Sequence, residues 1–206
     1  MDRRDFISAG FAAFGAALAA GSAAAQATAG AVPSDTVLPA RLQPALVRLR
    51  APLPPGEVHV FPNHFQLYWT LPDGQAWRYG IRVGRDRLYE SGTYYVGAKK
   101  EWPSWTPTPD MIAREPERYK KWEDGMPGGP NNPLGARALY LFEPGRGDTY
   151  LRIHGTADTW TIGRAVSNGC AGLTNEHIKL LYAQVPMNAR VVLYPKMGPE
   201  PVPLQS

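Results

Sequence analysis

A mostly β domain is what this sequence predicts, and three observations predict it. Downstream of residue 56 the chain reads as short segments rich in β-branched and aromatic residues: EVHVF, HFQLYWTL, QAWRYGIRVG and TYYVGA, then ARALYLF, YLRIHG and RVVLYP. Such side chains suit a pleated, half-buried surface. Turn residues divide the segments, and Leu71-Pro72-Asp73-Gly74 lies between two of them as a hairpin turn. A helical period appears late in the chain, where Ile178, Leu181, Tyr182 and Val185 fall at i, i+3, i+4 and i+7. Thr174 or Asn175 stands before it and can cap its free backbone N–H groups.

The elements before this domain read differently. A paired arginine, Arg3-Arg4, precedes the small apolar run GFAAFGAALAAGSAAAQA. That pattern describes a secretory signal over residues 1–27, of twin-arginine type, with cleavage after Ala25-Gln26-Ala27. The run is shorter than the ~20 residues a bilayer span needs, so no stable membrane insertion is expected. Residues 28–56 are rich in alanine and proline and read as a linker, with room for one short helix at 45–50. The domain proper is expected over 57–196, followed by a tail over 197–206.

Within the domain, residues 99–135 break the strand pattern with repeated proline and glycine. MIAREPERYKKW can hold a helical turn or two, interrupted at Pro116. A connection this long is uncommon unless functional or disordered. Trp102, Trp105 and Trp122 argue against disorder because such rings favour burial. A lid over a site and a packed structural insertion are both open.

Composition narrows the function. The chain is 44% hydrophobic and 19% charged, an ordinary globular balance. Its net charge of +4 comes without the basic runs of nucleic-acid binders, so no nucleic acid is expected as partner. Cys170 is the single cysteine, which forbids an internal disulfide. In an exported chain it is then an intermolecular bridge, a buried bystander or a reactive thiol.

The stretch RIHGTADTWTIGRAVSNGCAGLTN, residues 152–175, is suited to a reactive thiol, while a buried cysteine and a structural histidine stay open on the residues alone. Gly169 and Gly172 flank Cys170 closely and let the backbone turn and a substrate approach. N–H groups in such a turn, above a helix start, can face a developing oxyanion. His154 ends a strand sixteen residues upstream and is followed by Gly155, whose missing side chain leaves its carbonyl accessible; the partner that fixes a histidine's tautomer can be a backbone carbonyl or a carboxylate. These are the ingredients of a Cys–His acyl-transfer site. No metal is expected, because His59, His64, His177 and Cys170 lack close ligand spacing. Gly-rich phosphate loops are likewise missing, and no cofactor is expected.

His-Gly-Thr, ten residues, then Ser-x-Gly-Cys closely resembles the signature of the L,D-transpeptidase (YkuD-like) family of cell-wall enzymes. The resemblance extends to TPTPDM, NPLGARALYLF and RVVLY and covers roughly residues 57–194. It implies a β-sandwich core with a covered groove. It also implies that Cys170 is the nucleophile, His154 the general base and acid, and Gly155 the carbonyl that orients His154. Gly169, with Ser167 and Asn168, would serve the oxyanion and the substrate. The implied partners are peptidoglycan stem peptides, donor and acceptor, in the periplasm or cell wall. The sequence departs from the family's S-H-G-C-[IV]-R at Asn168 and at Gly172, where the family carries arginine. Either Arg164 or another basic residue compensates, or the donor or acceptor is held differently, and an unusual bridge type is an expectation from this departure. Two rivals stand beside transpeptidation: an L,D-carboxypeptidase or amidase using water, and a non-catalytic wall-binding module using Trp102, Trp105, Tyr94 and Tyr95. Attachment of an outer-membrane protein through a lysine amine would use the same thioester.

Overall fold

The computed structural model describes residues 37–196; the expected signal at 1–27 and the tail at 197–206 lie outside them. The domain is mostly β, as the strand-like segments predicted. Strands β1 (Ala45–Arg48), β2 (Glu57–Phe61), β3 (Gln66–Thr70), β4 (Gln75–Gly80) and β5 (Val83–Gly84) precede β6 (Gly92–Glu101). After the insertion come β7 (Arg137–Glu143), β8 (Gly147–Thr156), β9 (Ala165–Ser167), β10 (Ala171–Thr174) and, last, β11 (Arg190–Leu193). Nine of them form one sheet in the order β1-β4-β3-β2-β11-β6-β7-β8-β10, while β5 and β9 pair separately.

The large sheet folds over on itself. The chain leaving β4, near one end, reaches β10 at the other, where Arg82 and Gly172 exchange backbone hydrogen bonds of 2.8 and 2.9 Å. Between the halves lies one apolar core, including Val58, Leu67, Tyr79, Val96, Ile153, Leu173 and Val191. Alternation along each strand sends these side chains inward. Helix α3 (Asn175–Gln184) closes the core with Ile178 and Leu181 fully buried, and Val185 just beyond its end follows them inward. Thr174 caps α3 by accepting the His177 N–H at 3.2 Å. At the other end the Lys99 ammonium donates to the carbonyls of Tyr182 and Val185 at 2.7 and 2.6 Å. A cation there also complements the helix dipole.

Two local expectations are corrected. Residues 45–48, where a helix was expected, form strand β1, with Leu46 opposite Trp77 and Val47 opposite Ala76. Pro44 and Pro52 leave too short a run to nucleate a helix, and β4 offers an edge to pair with. The cysteine loop does not lead straight into a helix either. Strand β10 intervenes, so the start of α3 lies four residues, roughly 13 Å, beyond the thiol's end of the strand.

The insertion begins as an extension of β6 and then forms α1 (Pro109–Arg114) and α2 (Pro116–Tyr119). The two are separated at Glu115–Pro116, where Glu115 leaves the helical region at φ −141° and ψ 66°, since a following proline disfavours helical backbone. Trp105 and Met126 pair through backbone bonds of 2.9 and 2.6 Å, closing the segment on itself. Buried Asn132 holds its base, donating to the carbonyls of Met126 and Pro127 and accepting from the Leu134 N–H at 2.9 Å. Among the described residues no helix is long and apolar enough to cross a membrane.

Candidate active site

Strand register brings the distant residues together. β10 runs parallel to β8 with Gly172 opposite His154 and Ala171 opposite Ile153. Side chains alternate along a strand, so Cys170 and Gly172 share a face, as do Arg152 and His154. On the far side of β10, Arg82 pairs with Gly172. The face therefore carries a row of His154, Gly172 and Arg82, with Cys170 and Arg152 one step along. The side chains of Arg82, Arg152, His154 and Cys170 line one groove of about 570 Å³.

The insertion forms the opposite wall. Trp105, Thr108, Met111, Tyr119 and Trp122 line the groove from that side. It is tied down over the cysteine loop by Asn168, whose Nδ2 meets the Tyr119 hydroxyl at 2.8 Å and whose Oδ1 accepts from Arg114 at 3.4 Å. Arg85 pairs with Glu115 as a second tie. Asn168 thus uses its side chain to hold the wall. Its Tyr119 partner lies 49 residues away, beyond the reach of any local sequence signal.

His154 is 3% exposed. Its Nδ1 lies 2.7 Å from the Gly155 carbonyl, which can only accept, so Nδ1 carries the proton and Nε2 keeps its lone pair. Gly155 must lack a side chain for packing: a Cβ there would stand 2.4 Å from Asn175 Oδ1 and 2.9 Å from Ile178 Cγ2. Burial, and next the Arg82 cation, push the imidazole pKa down to about 3, against the opposing pull of the Gly155 carbonyl. The histidine is therefore neutral near pH 7, with its lone pair on Nε2.

Cys170 is half-buried, and its Sγ points to the Tyr150 carbonyl at 3.9 Å. Burial pushes the thiol pKa up, while an Arg152 backbone N–H and the Arg152 and Arg82 charges work against that rise. Cys170 and His154 line the same groove, the one favoured as thiol and the other as neutral imidazole. Tyr150 owes its place to a bulge in β8 opposite Tyr140–Phe142, where it adopts φ 61° and leaves its ring 71% exposed at the rim. Asp148 holds the bulge, accepting the Tyr150 N–H at 2.9 Å and gripping Arg152 at 2.7 and 2.8 Å.

In the cysteine loop, Ser167 Oγ donates to the Cys170 carbonyl at 2.6 Å and accepts the Gly169 N–H at 3.3 Å. Gly169 has φ 123°, and a Cβ would meet the Leu88 carbonyl at 2.9 Å, so only glycine fits. The Gly169 N–H, expected to serve the oxyanion, is thus already occupied, by a long bond. Arg164 does not line the groove; it is exposed and stacks on Trp160 at 5.5 Å. Of the groove's basic residues, Arg82 is the one that lies against Gly172. Of Trp102, Trp105, Tyr94 and Tyr95, only Trp105 lines the groove, and Tyr94 is buried in the core. Arg82, Arg152, Tyr119 and Tyr150 went unnoticed in the sequence. Only Arg152 left a signal there, at two residues before His154 on the same strand face.

Residues 55–193 match the YkuD family, L,D-transpeptidase catalytic domain. A protein named "Putative L,D-transpeptidase in ATP synthase subunits region ORF 5" from Fuscovulum blasticum is 43% identical over 125 residues, 60% of this chain and 61% of that protein. The "Probable L,D-transpeptidase YbiS" of Escherichia coli K12 is 33% identical over 160 residues, 78% of this chain and 47% of that protein. The chain therefore spans about half to three fifths of these relatives' own lengths. A crystal structure from Brucella melitensis, described as a probable carnitine operon oxidoreductase caia, is 44% identical with a TM-score of 0.51. That likeness covers 70% of this chain and 88% of the other.

Proposed function

Because the chain belongs to the L,D-transpeptidase catalytic domain family, we propose that it is a peptidoglycan L,D-transpeptidase acting through a Cys170 thioester. The observation that carries this is the pairing of β8 with β10, which brings His154 and Cys170 to one groove, with the His154 tautomer fixed by Gly155. The groove wall supplied by the insertion supports it as well.

In this scheme Cys170 Sγ attacks the carbonyl between a stem's diamino acid and its terminal residue, and its proton passes to His154 Nε2. The Cys170 N–H faces the tetrahedral oxyanion, joined by the Gly169 N–H once that leaves Ser167 Oγ. Collapse breaks the C–N bond, and the imidazolium protonates the departing amine. An amine of a second stem then attacks the thioester, gives its proton to Nε2, and the sulfur leaves as thiol. Splitting one difficult exchange into two steps is the general advantage of a covalent intermediate.

Water as acceptor gives the carboxypeptidase alternative. The wall latched by Asn168 and Arg85 favours the amine, because a covered groove limits hydrolysis of the thioester. The Brucella melitensis structure carries an oxidoreductase name; the thiol and imidazole gathered here favour acyl transfer for this chain. The substrate places the enzyme outside the cytoplasm, in keeping with the Arg3-Arg4 start. Incubating the protein with purified disaccharide tetrapeptide tests the proposal. A dimer lacking one terminal residue, absent with Cys170→Ala, is expected. A trimmed monomer alone would replace transpeptidation by hydrolysis, and no product from either protein would refute the acyl-transfer scheme.

A further inference from the structure

Gly172 is empty for a reason that lies on another strand. Its backbone is not in the left-handed region, so nothing in its conformation demands glycine. A Cβ at 172 would instead strike Arg82, with Nε at 2.5 Å, Cγ at 2.8 Å and Cδ at 3.1 Å, and these are its three nearest atoms. The Arg82 side chain lies over Gly172 and occupies the space that a side chain at 172 would fill. It reaches that place from the segment after β4, fixed by the two backbone bonds to Gly172.

The guanidinium there is only partly used. Nε is buried without a partner, and Nη1 has a long 3.5 Å contact to Thr161 Oγ1. Of the other groove cations, Arg152 is gripped by Asp148 at 2.7 Å and stacked on Tyr140 at 3.9 Å, Arg118 pairs with Glu115 at 3.4 Å, and Lys121 belongs to the insertion's wall, 5.6 Å from the Trp122 ring. Asp158 lines the groove near Arg82, yet among the described residues no carboxylate stands within ion-pair distance of it. Arg82 is thus a planar donor fork facing the groove beside the nucleophile, suited to a carboxylate held by two parallel bonds.

We propose that Arg82 is the specificity residue for the leaving side of the donor: its guanidinium, lying over Gly172, binds the free carboxylate of the terminal amino acid that Cys170 displaces. The inference rests on the acyl-transfer function proposed above. Spacing supports it. Residues 170 and 172 are separated by roughly 6.7 Å along the strand. One residue of about 3.8 Å and a hydrogen bond of about 2.9 Å bridge that distance from a scissile carbonyl to the fork. No bond is made or broken at Arg82; it holds the leaving residue until the amine departs.

The test compares two donors, a disaccharide tetrapeptide with its terminal carboxylate free and the same molecule as the terminal carboxamide. The readout is kcat/KM for acylation of the full chain. Wild type is expected to prefer the acid by ~10–100-fold, the range of a hydrogen bond to a charged group. Arg82→Gln is expected to bring that ratio close to one. The double variant Arg82→Gly with Gly172→Arg returns a cation to the same space and is expected to regain the preference. A wild type that uses both donors equally overturns the inference and leaves acyl transfer standing. So does an Arg82→Gln variant that slows both donors alike and keeps the ratio, which would make Arg82 structural. A wild type that acylates with neither donor overturns the functional proposal and the inference together. Should Arg82→Gln fail to fold, the wild-type ratio and the double variant still decide.

Discussion

Adding one methyl group at Gly155 is expected to disable the site while leaving both reacting side chains in place. In Gly155→Ala the new Cβ would lie 2.4 Å from Asn175 Oδ1, 2.9 Å from Ile178 Cγ2 and 3.1 Å from the Ala136 nitrogen. None of the three can yield freely. Asn175 Oδ1 is held by the Ala136 N–H at 2.8 Å, and Ile178 is fully buried. Gly155 itself must therefore shift, and its N–H is tied to the Leu134 carbonyl at 3.1 Å. Overpacking of this kind costs about 1–3 kcal/mol. The carbonyl carried by the same residue is the partner of His154 Nδ1 at 2.7 Å. A displacement of the order of 1 Å releases the imidazole from its tautomer and direction, for a loss on the order of 10²-fold in acylation. The assay pairs urea unfolding with single-turnover acylation of Cys170. A variant whose unfolding midpoint falls as expected, yet which acylates within threefold of wild type, would refute the orienting role given to Gly155.

Other outcomes follow from the same geometry. His154 has its pKa lowered to about 3, whereas an unfolded histidine titrates near ~6.5. Between those values the unfolded chain binds the extra proton, so this contribution is complete above pH 6.5 and is lost as pH falls toward 3. Urea midpoints at several pH values should show a steeper acid loss for wild type than for His154→Gln. Asn168→Ala removes the 2.8 Å bond to Tyr119; it is expected to raise hydrolysed over cross-linked product and speed hydrogen exchange across residues 109–122, at a cost of about 1 kcal/mol in stability. Lys99→Met leaves the Tyr182 and Val185 carbonyls without their donor, lowering stability by roughly 1.5–3 kcal/mol with acylation preserved, as read by urea unfolding beside the acylation assay. Because burial raises the Cys170 pKa, its alkylation by iodoacetamide should be slow at pH 7 and keep rising beyond pH 9.

Much of this was legible in the sequence because the signals were local. Period-two apolar segments became strands, Thr174 became the cap of α3, and Ile178, Leu181 and Val185 became its buried face. His154 and Cys170 were readable from their glycine-rich flanks, and the structure places both on one groove. What was hidden depends on pairing between distant segments. Residues 45–48 became a strand because β4 had a free edge, which no window of sequence around them reveals. The two-residue β5 and three-residue β9 are too short for a period to show. Arg82 was hidden most deeply, since its meaning comes from Gly172, ninety residues away. In the sequence that glycine reads only as a missing arginine; in the fold it is the space Arg82 occupies.

The central claim is that a thioester forms on Cys170 with His154 as its base, and trapping it is the most direct test. The protein is mixed with disaccharide tetrapeptide, quenched in acid over a time course, and read by intact mass and peptide mapping. The account predicts an adduct of the donor less its terminal residue, carried on Cys170, forming on the order of 10²–10⁴-fold more slowly in His154→Gln. An adduct on another residue, or one that forms equally fast without His154, would contradict it.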